Sequence, residues 1–239
     1  MAAIVPAILP VSQEDLEDKL AALVGLVDSV QIDIVDGRFI SPASWPYRTE
    51  SDKGLPSFAG KTFSHLGQIH YEMDLMVSAP EDVAGTWVEA GADRITLHVE
   101  STNYLPKTIT DLEVRYGHAK DFAPELLAIG IALNIQSDLA IIEPYMAQID
   151  YVQFMGIATI GKQGEPFDTR VLQKIATFKK KHPEIPVQVD GGVSLQTAPA
   201  LLSAGVERLI VGSALWNAPD LATELQKFNE LLHQYGIYT

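Results

Sequence analysis

Two aspartates stand at the ends of β-type runs, Asp33 in VQIDIVDG (30–37) and Asp190 in VQVDGGV (187–193). Two carboxylates held on opposite sides of one carbon can take a proton from one face and return one to the other, which is what a two-base proton transfer requires. Residues two apart in a strand share a face. Gln31 therefore goes with Asp33, Glu72 and Met76 with Asp74, Glu100 with His98, and Gln188 with Asp190. This pattern predicts four strand ends delivering polar groups to one mouth. Gln31, Glu72 and Gln188 are equally well read as strand-end residues bonded to loop backbone. If Asp33, Asp74 and Asp190 converge, they raise one another's pKa unless a cation or a shared proton compensates, so a bound metal or a carboxylate poised near neutral pH is expected.

Three glycine-bearing turns follow the last three β-type runs: GKQG (161–164), Gly191-Gly192 and Gly212-Ser213. Glycine allows backbone amides to approach an anion closely, and a following helix start adds a favourable dipole. The set of three predicts phosphate binding by Gly164, Gly191, Gly192, Gly212 and Ser213.

These groups need a scaffold that brings several strand ends together. Eight β-like runs are centred near 3–9, 29–35, 69–76, 94–99, 129–135, 151–155, 187–190 and 208–211. Most are separated by helix-like segments. Ser12 with Asp15 resembles a capping box, and Leu16, Leu20, Leu23 and Val27 form a stripe of helical period. Pro80, Asp168, Ser194 and Pro219 mark further helix starts. EAGADRIT (89–96) echoes SAGVERLI (203–210), each reading as a helix that ends at glycine and feeds a strand. The expected fold class is α/β, a (β/α)8 TIM barrel forming one domain over 1–239, whose sites lie at the C-terminal strand ends. The long irregular stretch 41–67, with a charged patch over 48–53, reads as a lid or a subunit contact, or as a decorative insertion. Within it, Trp45 and Tyr47 are candidates for covering a bound ligand or for a subunit contact.

Bulk properties narrow the classes. The net charge is -14, with 31 acidic against 17 basic residues, and the largest basic cluster is Lys179-Lys180-Lys181. Nucleic acid is therefore not an expected partner. There is no cysteine, so disulfides and thiolate metal sites are excluded. The first twenty residues lack a basic n-region and no apolar run reaches membrane-spanning length, so a cytoplasmic address and no membrane partner are expected. His65, His70, His118, His182 and His233 have no partner at metal-ligand spacing and read as surface residues.

PAIL (6–9), DIVDGRF (33–39), DLM (74–76), AGAD (90–93), LHVES (97–101), VDGGV (189–193) and VGSALW (211–216) together resemble the ribulose-phosphate 3-epimerase family, in order and over most of the chain. The resemblance implies an isomerase that moves a proton at C3 of a ketopentose phosphate through an enediolate, with Asp33 and Asp190 as the two bases. It also implies a sugar phosphate as partner and phosphate held near Gly164, Gly192, Gly212 and Ser213. Met76 and Met155 are expected against the substrate. His98, in the HVE element, is expected to position a neighbour or a substrate hydroxyl, or to be a satisfied structural histidine. A homo-oligomer is compatible with this reading.

The departures from the family pattern are specific. Gln31 and Asp74 stand where the family carries two histidines that, with the two aspartates, hold a divalent metal. Ala7 replaces a serine, Val35 a methionine, and GKQGEP a denser glycine run, with Glu165 near the phosphate unless Lys162 offsets it. A set of Gln31, Asp33, Asp74 and Asp190 supplies oxygen alone, which suits Mg²⁺ or Mn²⁺ better than zinc. Three readings follow: an epimerase with an altered metal site, a divergent enzyme acting on another phosphorylated sugar, either without metal or with a different reaction next to a carbonyl, and a non-catalytic sugar-phosphate-binding protein.

Overall fold

The computed structural model describes residues 2–48, 58, 60–116 and 127–235. Eight parallel strands close into a barrel in sequence order: β1 (Ala3–Ile8), β2 (Ser29–Val35), β3 (His70–Met76), β4 (Ala92–His98), β5 (Ala128–Leu133), β6 (Tyr151–Met155), β7 (Val187–Asp190) and β8 (Arg208–Val211). Closure is completed by β1 pairing with β8.

Helices pack around this barrel: α1 (Gln13–Leu23), α2 (Pro80–Glu89), α3 (Leu105–Tyr116), α4 (Arg170–Lys181), α5 (Ala198–Ser203), α6 (Ser213–Trp216) and α7 (Leu221–Tyr235). Local sequence explains their starts. The amide of Asp15 donates to Ser12 Oγ at 3.0 Å, while Asp15 Oδ2 accepts from the Val11 amide, one residue earlier than a full capping box would have it. Pro80 opens α2 at a position whose amide needs no partner. One start lies later than the sequence pattern implies, that of α5, whereas α7 starts at Leu221 where its stripe begins. α5 begins at Ala198, after a turn in which Ser194 and Thr197 bond each other, and α7 is capped by Asp220, whose Oδ1 accepts from the Thr223 amide at 2.7 Å. The two echoing segments do end helices at glycines of positive φ, Gly91 and Gly205, directly ahead of β4 and β8.

Alternation along each strand divides the side chains between two environments. The outward set, including Ile32, Ile34, Met73, Leu75, Leu97 and Val189, joins one apolar core beneath the helices. The inward set is polar at several levels. Near the N-terminal end, Glu72 pairs with Arg94, at 3.2 Å, and with Arg208. The Arg94 guanidinium also lies 3.9 Å from the centre of the Tyr151 ring, whose hydroxyl bonds Thr96 at 2.8 Å.

The segment between β2 and β3 contains no α-helix among the described residues, and aromatic side chains cover the barrel wall there. Trp45, Phe58 and Phe63 are all buried and surround Trp87 of α2, with ring centres 5.2–6.3 Å from it. Phe63 also stacks on Tyr71 at 4.5 Å. Ser44 ties this segment to the end of β2, accepting from the Val35 amide at 2.9 Å and donating to the Asp33 carbonyl at 3.0 Å. Trp45 therefore packs on the barrel wall, which leaves it out of the first of its two candidate roles, covering a ligand at the mouth. Its ring packs edge-on against Phe58 and Trp87 instead, where it is buried. Tyr47 is half-buried beside Asp36, Val77 and Val83 in a surface pocket. Residues 49–57 of the charged stretch, and His118, lie outside the described residues.

Trp87 is the common neighbour of this aromatic group and is fully buried. Trp87→Ala is expected to destabilise the fold by about 3–5 kcal/mol, measured by urea unfolding. A loss below roughly 1 kcal/mol would mean that the aromatic segment is not part of the packed core.

Candidate functional site

The C-terminal ends of β2, β3, β4 and β7 bring Asp33, Asp74, His98 and Asp190 together. Register places Asp33 beside Asp74 across β2 and β3, and Met155 beside Asp190 across β6 and β7. The three aspartates each bring an oxygen to within 4.8 Å of the others. Gln31, one inward position below Asp33, donates from Nε2 to Asp33 Oδ1 at 2.9 Å and to Asp190 Oδ2 at 3.0 Å. Asp74 is held from elsewhere: Oδ1 by His98 Nε2 at 3.0 Å, and Oδ2 by Gln153 Nε2 at 3.1 Å. Gln153 is itself anchored, because its Oε1 accepts from Gln188 Nε2 at 2.7 Å, and Gln188 Oε1 accepts from Arg94 at 3.3 Å.

Burial sets the electrostatics. Gln31, Asp74 and His98 are 0% exposed, and Asp33 and Asp190 only 6% and 9%. Loss of solvent, followed by the negative charges of Asp190 and Asp74, raises Asp33 well above the ordinary carboxylate range despite the bond from Gln31. Burial and the charge of Asp74 push Asp190 up to about 7, against lowering by Gln31, His98 and the Gly191 amide. For His98, burial alone would lower the imidazole, but the charge and hydrogen bond of Asp74, with Glu100 and Asp190 behind it, hold it above its ordinary value. Asp36, just past β2, goes the other way: burial is outweighed by bonds from Ser78, Phe39 and Arg38, so it stays ionised and ties the loop after β2 to the loop after β3.

The residues fit a divalent cation. Three buried carboxylates whose oxygens lie within 4.8 Å of one another could hold one as hard oxygen donors, and Gln31 Oε1 is buried with no hydrogen-bond partner. His98 is behind Asp74 and engaged with it, so it does not add a nitrogen donor facing the trio.

Above the carboxylates lies a small cavity of about 40 Å³, into which Asp33 and Asp190 open. Its wall includes Ala7, together with Leu9, Met76, Met155 and Ile157 of an apolar cluster at the mouth into which Phe39 and Ile40 also pack. Phe39 covers the ring of His98, 5.6 Å between centres. At its other side the cavity is lined by Gly161, Lys162, Gln163, Gly164, Gly191, Gly192, Gly212 and Ser213, so all three glycine turns border it. The turns depend on these glycines. Gly164 and Gly192 have φ of +85° and +68°, and a Cβ at Gly192 would lie 2.7 Å from the Phe167 backbone.

The geometry corrects part of the sequence pattern. Glu72 and Gln188 do not reach the mouth, because one inward step along a strand is a full layer of the barrel. Glu72 neutralises Arg94 and Arg208 at the base, and Gln188 serves Gln153. Glu100 does not share the face of His98, since β4 ends at His98. Glu100 instead accepts from the Asn134 amide at 2.9 Å and Ser137 Oγ at 2.5 Å. Of the other histidines, His70 pairs with Asp93, and His182 with Glu143 at 3.2 Å, away from the cavity. Sequence reasoning missed Gln153, Arg94 and Thr96. The alternation that selected Gln31 and Asp33 would have selected Gln153 in YVQFM had it been applied to β6.

A closed parallel barrel with its carboxylates and glycine turns at the C-terminal mouth places the chain among the (β/α)8 barrel proteins. Solved structures agree on the fold. 3-Hexulose-6-phosphate synthase from Salmonella typhimurium aligns with a TM-score of 0.68 at 18% identity, covering 98% of this chain and 100% of that one. KGPDC from Streptococcus mutans aligns at 0.67 and 15% identity, covering 99% of each. Sequence narrows the class further: residues 3–216 match the ribulose-phosphate 3-epimerase family, and the chain belongs to it. Similar relatives include ribulose-phosphate 3-epimerase of Aquifex aeolicus, 23% identical over 89% of this chain and 88% of that protein. The Bacillus subtilis protein of the same name is 26% identical over 82% and 83%.

The raised groups give the metal-free protein a definite pH dependence. Asp190 moves from 3.8 unfolded to about 7 folded, so its contribution is complete below about pH 4 and is lost as pH rises through 7. Asp33 and His98, also raised, act in the same direction. Chelated protein should therefore lose stability as pH rises from about 4 through about 7, and Mg²⁺ or Mn²⁺ should restore it most at the alkaline end. Thermal unfolding across that range checks this; a midpoint that rises with pH in chelator would contradict it.

Proposed function

We propose that this protein is an epimerase acting at C3 of a ketopentose phosphate, with Asp33 and Asp190 as the two proton-transferring groups. The observation that carries this reading is that both carboxyl groups, linked through Gln31, open into the cavity bordered by the three glycine turns. A two-base reaction needs one group ionised and the other protonated at the same time. Two neighbouring carboxyls, both raised by burial and by the charge of Asp74, with Asp190 also raising Asp33, meet that need near neutral pH.

Substrate phosphate would be held by amides at Gly164, Gly191, Gly192, Gly212 and Ser213, with Lys162 offsetting Glu165. The carbon chain would then pass over Met76 and Met155 toward the aspartates, where the apolar cluster limits access of water to the enediolate. One aspartate takes the C3 proton, and the other delivers a proton to the opposite face. The roles exchange for the reverse reaction. Asp74, fixed by His98 and Gln153, stays in place as the third carboxylate. Gln31, Asp33, Asp74 and Asp190 would hold Mg²⁺ or Mn²⁺, and a dication there would stabilise negative charge developing on the substrate's enediolate oxygens.

A second reading, enediolate chemistry on another phosphorylated sugar, is favoured by one observation: Gln31 and Asp74 depart from the family's two histidines. Exchange of the C3 proton of ribulose 5-phosphate with solvent deuterium, followed by NMR on chelated and metal-supplemented protein, separates the readings. Exchange is expected, with a loss of about 10²–10⁴ in rate for Asp33→Asn and for Asp190→Asn. Lys162→Ala is expected to raise KM for the sugar phosphate roughly tenfold with kcat little changed. Wild-type protein that exchanges no proton with or without metal would overturn the proposed substrate.

A further inference from the structure

Gln31 is the one uncharged member of the carboxylate cluster, and its two ends stand in unequal surroundings. Nε2 spans Asp33 and Asp190, while Oε1 is buried and has no hydrogen-bond partner. A carboxamide offers two donors at one end and an acceptor at the other. With nitrogen inward, each N–H meets a carboxylate. With oxygen inward, a third partial negative charge would face the same two groups, an arrangement tolerated only with a cation among them.

We infer that Gln31 is a metal-linked amide switch: its nitrogen spans Asp33 and Asp190 in metal-free protein, and a divalent cation turns the amide over so that Oε1 joins the three aspartates as a ligand. This inference rests on the proposed metal reading of the site and adds the way in which the site passes between its two states. The turn breaks only the two bonds that Nε2 makes, because Oε1 has no hydrogen-bond partner to lose. Asp74 is not bonded to the amide and keeps its anchors on His98 and Gln153 throughout, so the third carboxylate stays fixed while Gln31 moves. The amide thus does part of the cation's work in its absence, by keeping two like charges bridged.

The test uses uniformly ¹⁵N-labelled full-length protein. The Gln31 side-chain NH₂ signals are identified by their loss in Gln31→Met and Gln31→Glu, and chelated wild type is titrated with Mg²⁺ while binding is measured by calorimetry on the same sample. Both signals should shift in step with saturation. Gln31→Met should weaken Mg²⁺ and Mn²⁺ binding by about tenfold or more, and Gln31→Glu, which cannot form the bridge, should not weaken it. Signals that stay fixed at full saturation, Gln31→Met binding with wild-type affinity, or no binding of either metal would each overturn the switch. The exchange experiment keeps the two proposals apart. Proton exchange without any metal binding overturns the switch alone, whereas a moving amide without exchange supports it and overturns the proposed substrate.

Discussion

Like charge held away from water is the constraint around which the barrel mouth is organised. Asp33, Asp74 and Asp190 converge within 4.8 Å at positions almost closed to solvent. Isolated carboxylates there would be strongly unfavourable, since each loses hydration and repels its neighbours. Every polar group around them opposes that cost. Gln31 bridges two of them, His98 brings a proton to the third, and Gln153 bonds its remaining oxygen.

The same constraint reaches the base of the barrel. Arg94, Gln188 and Gln153 donate in one direction, from a guanidinium upward to Asp74, so the amides cannot reverse without losing their partners. Arg94 is in turn held by Glu72, which also neutralises Arg208. A barrel interior that is apolar in many proteins of this fold is here a linked polar column, with Val5, Ala7 and Ile210 filling the side near β1 and β8. Substitutions in that column are expected to be felt at the mouth without any contact with a ligand.

Much of the framework could be read in the sequence because strands and glycines carry local signals. Four of the eight strands, β2, β6, β7 and β8, have the bounds that their apolar runs imply, and the glycine turns lie in the loops that follow the last three. Asp33, Asp74 and Asp190 were legible because alternation fixes which residues share a face. Depth was not: alternation cannot distinguish a residue at the rim from one a layer below, and Glu72 and Gln188 were placed too high for that reason. The start of α5 at Ala198 lies four residues past Ser194 because Ser and Thr near a terminus offer several capping options, whereas α7 starts at Leu221 as its apolar stripe implies. The role of Trp45 depended on a partner, Trp87, more than forty residues away, which no local pattern supplies.

The central claim is that the carboxylates of the metal-free mouth are incompletely ionised near neutral pH and that a cation takes the place of their protons. Proton release on Mn²⁺ binding, measured by calorimetry at pH 7 in buffers of different ionisation enthalpy, tests it directly. The account predicts release of about one proton per Mn²⁺ bound, falling as the pH is raised to 9. Mn²⁺ binding with no proton release at pH 7 would mean that the carboxylates are already fully ionised, and would contradict it.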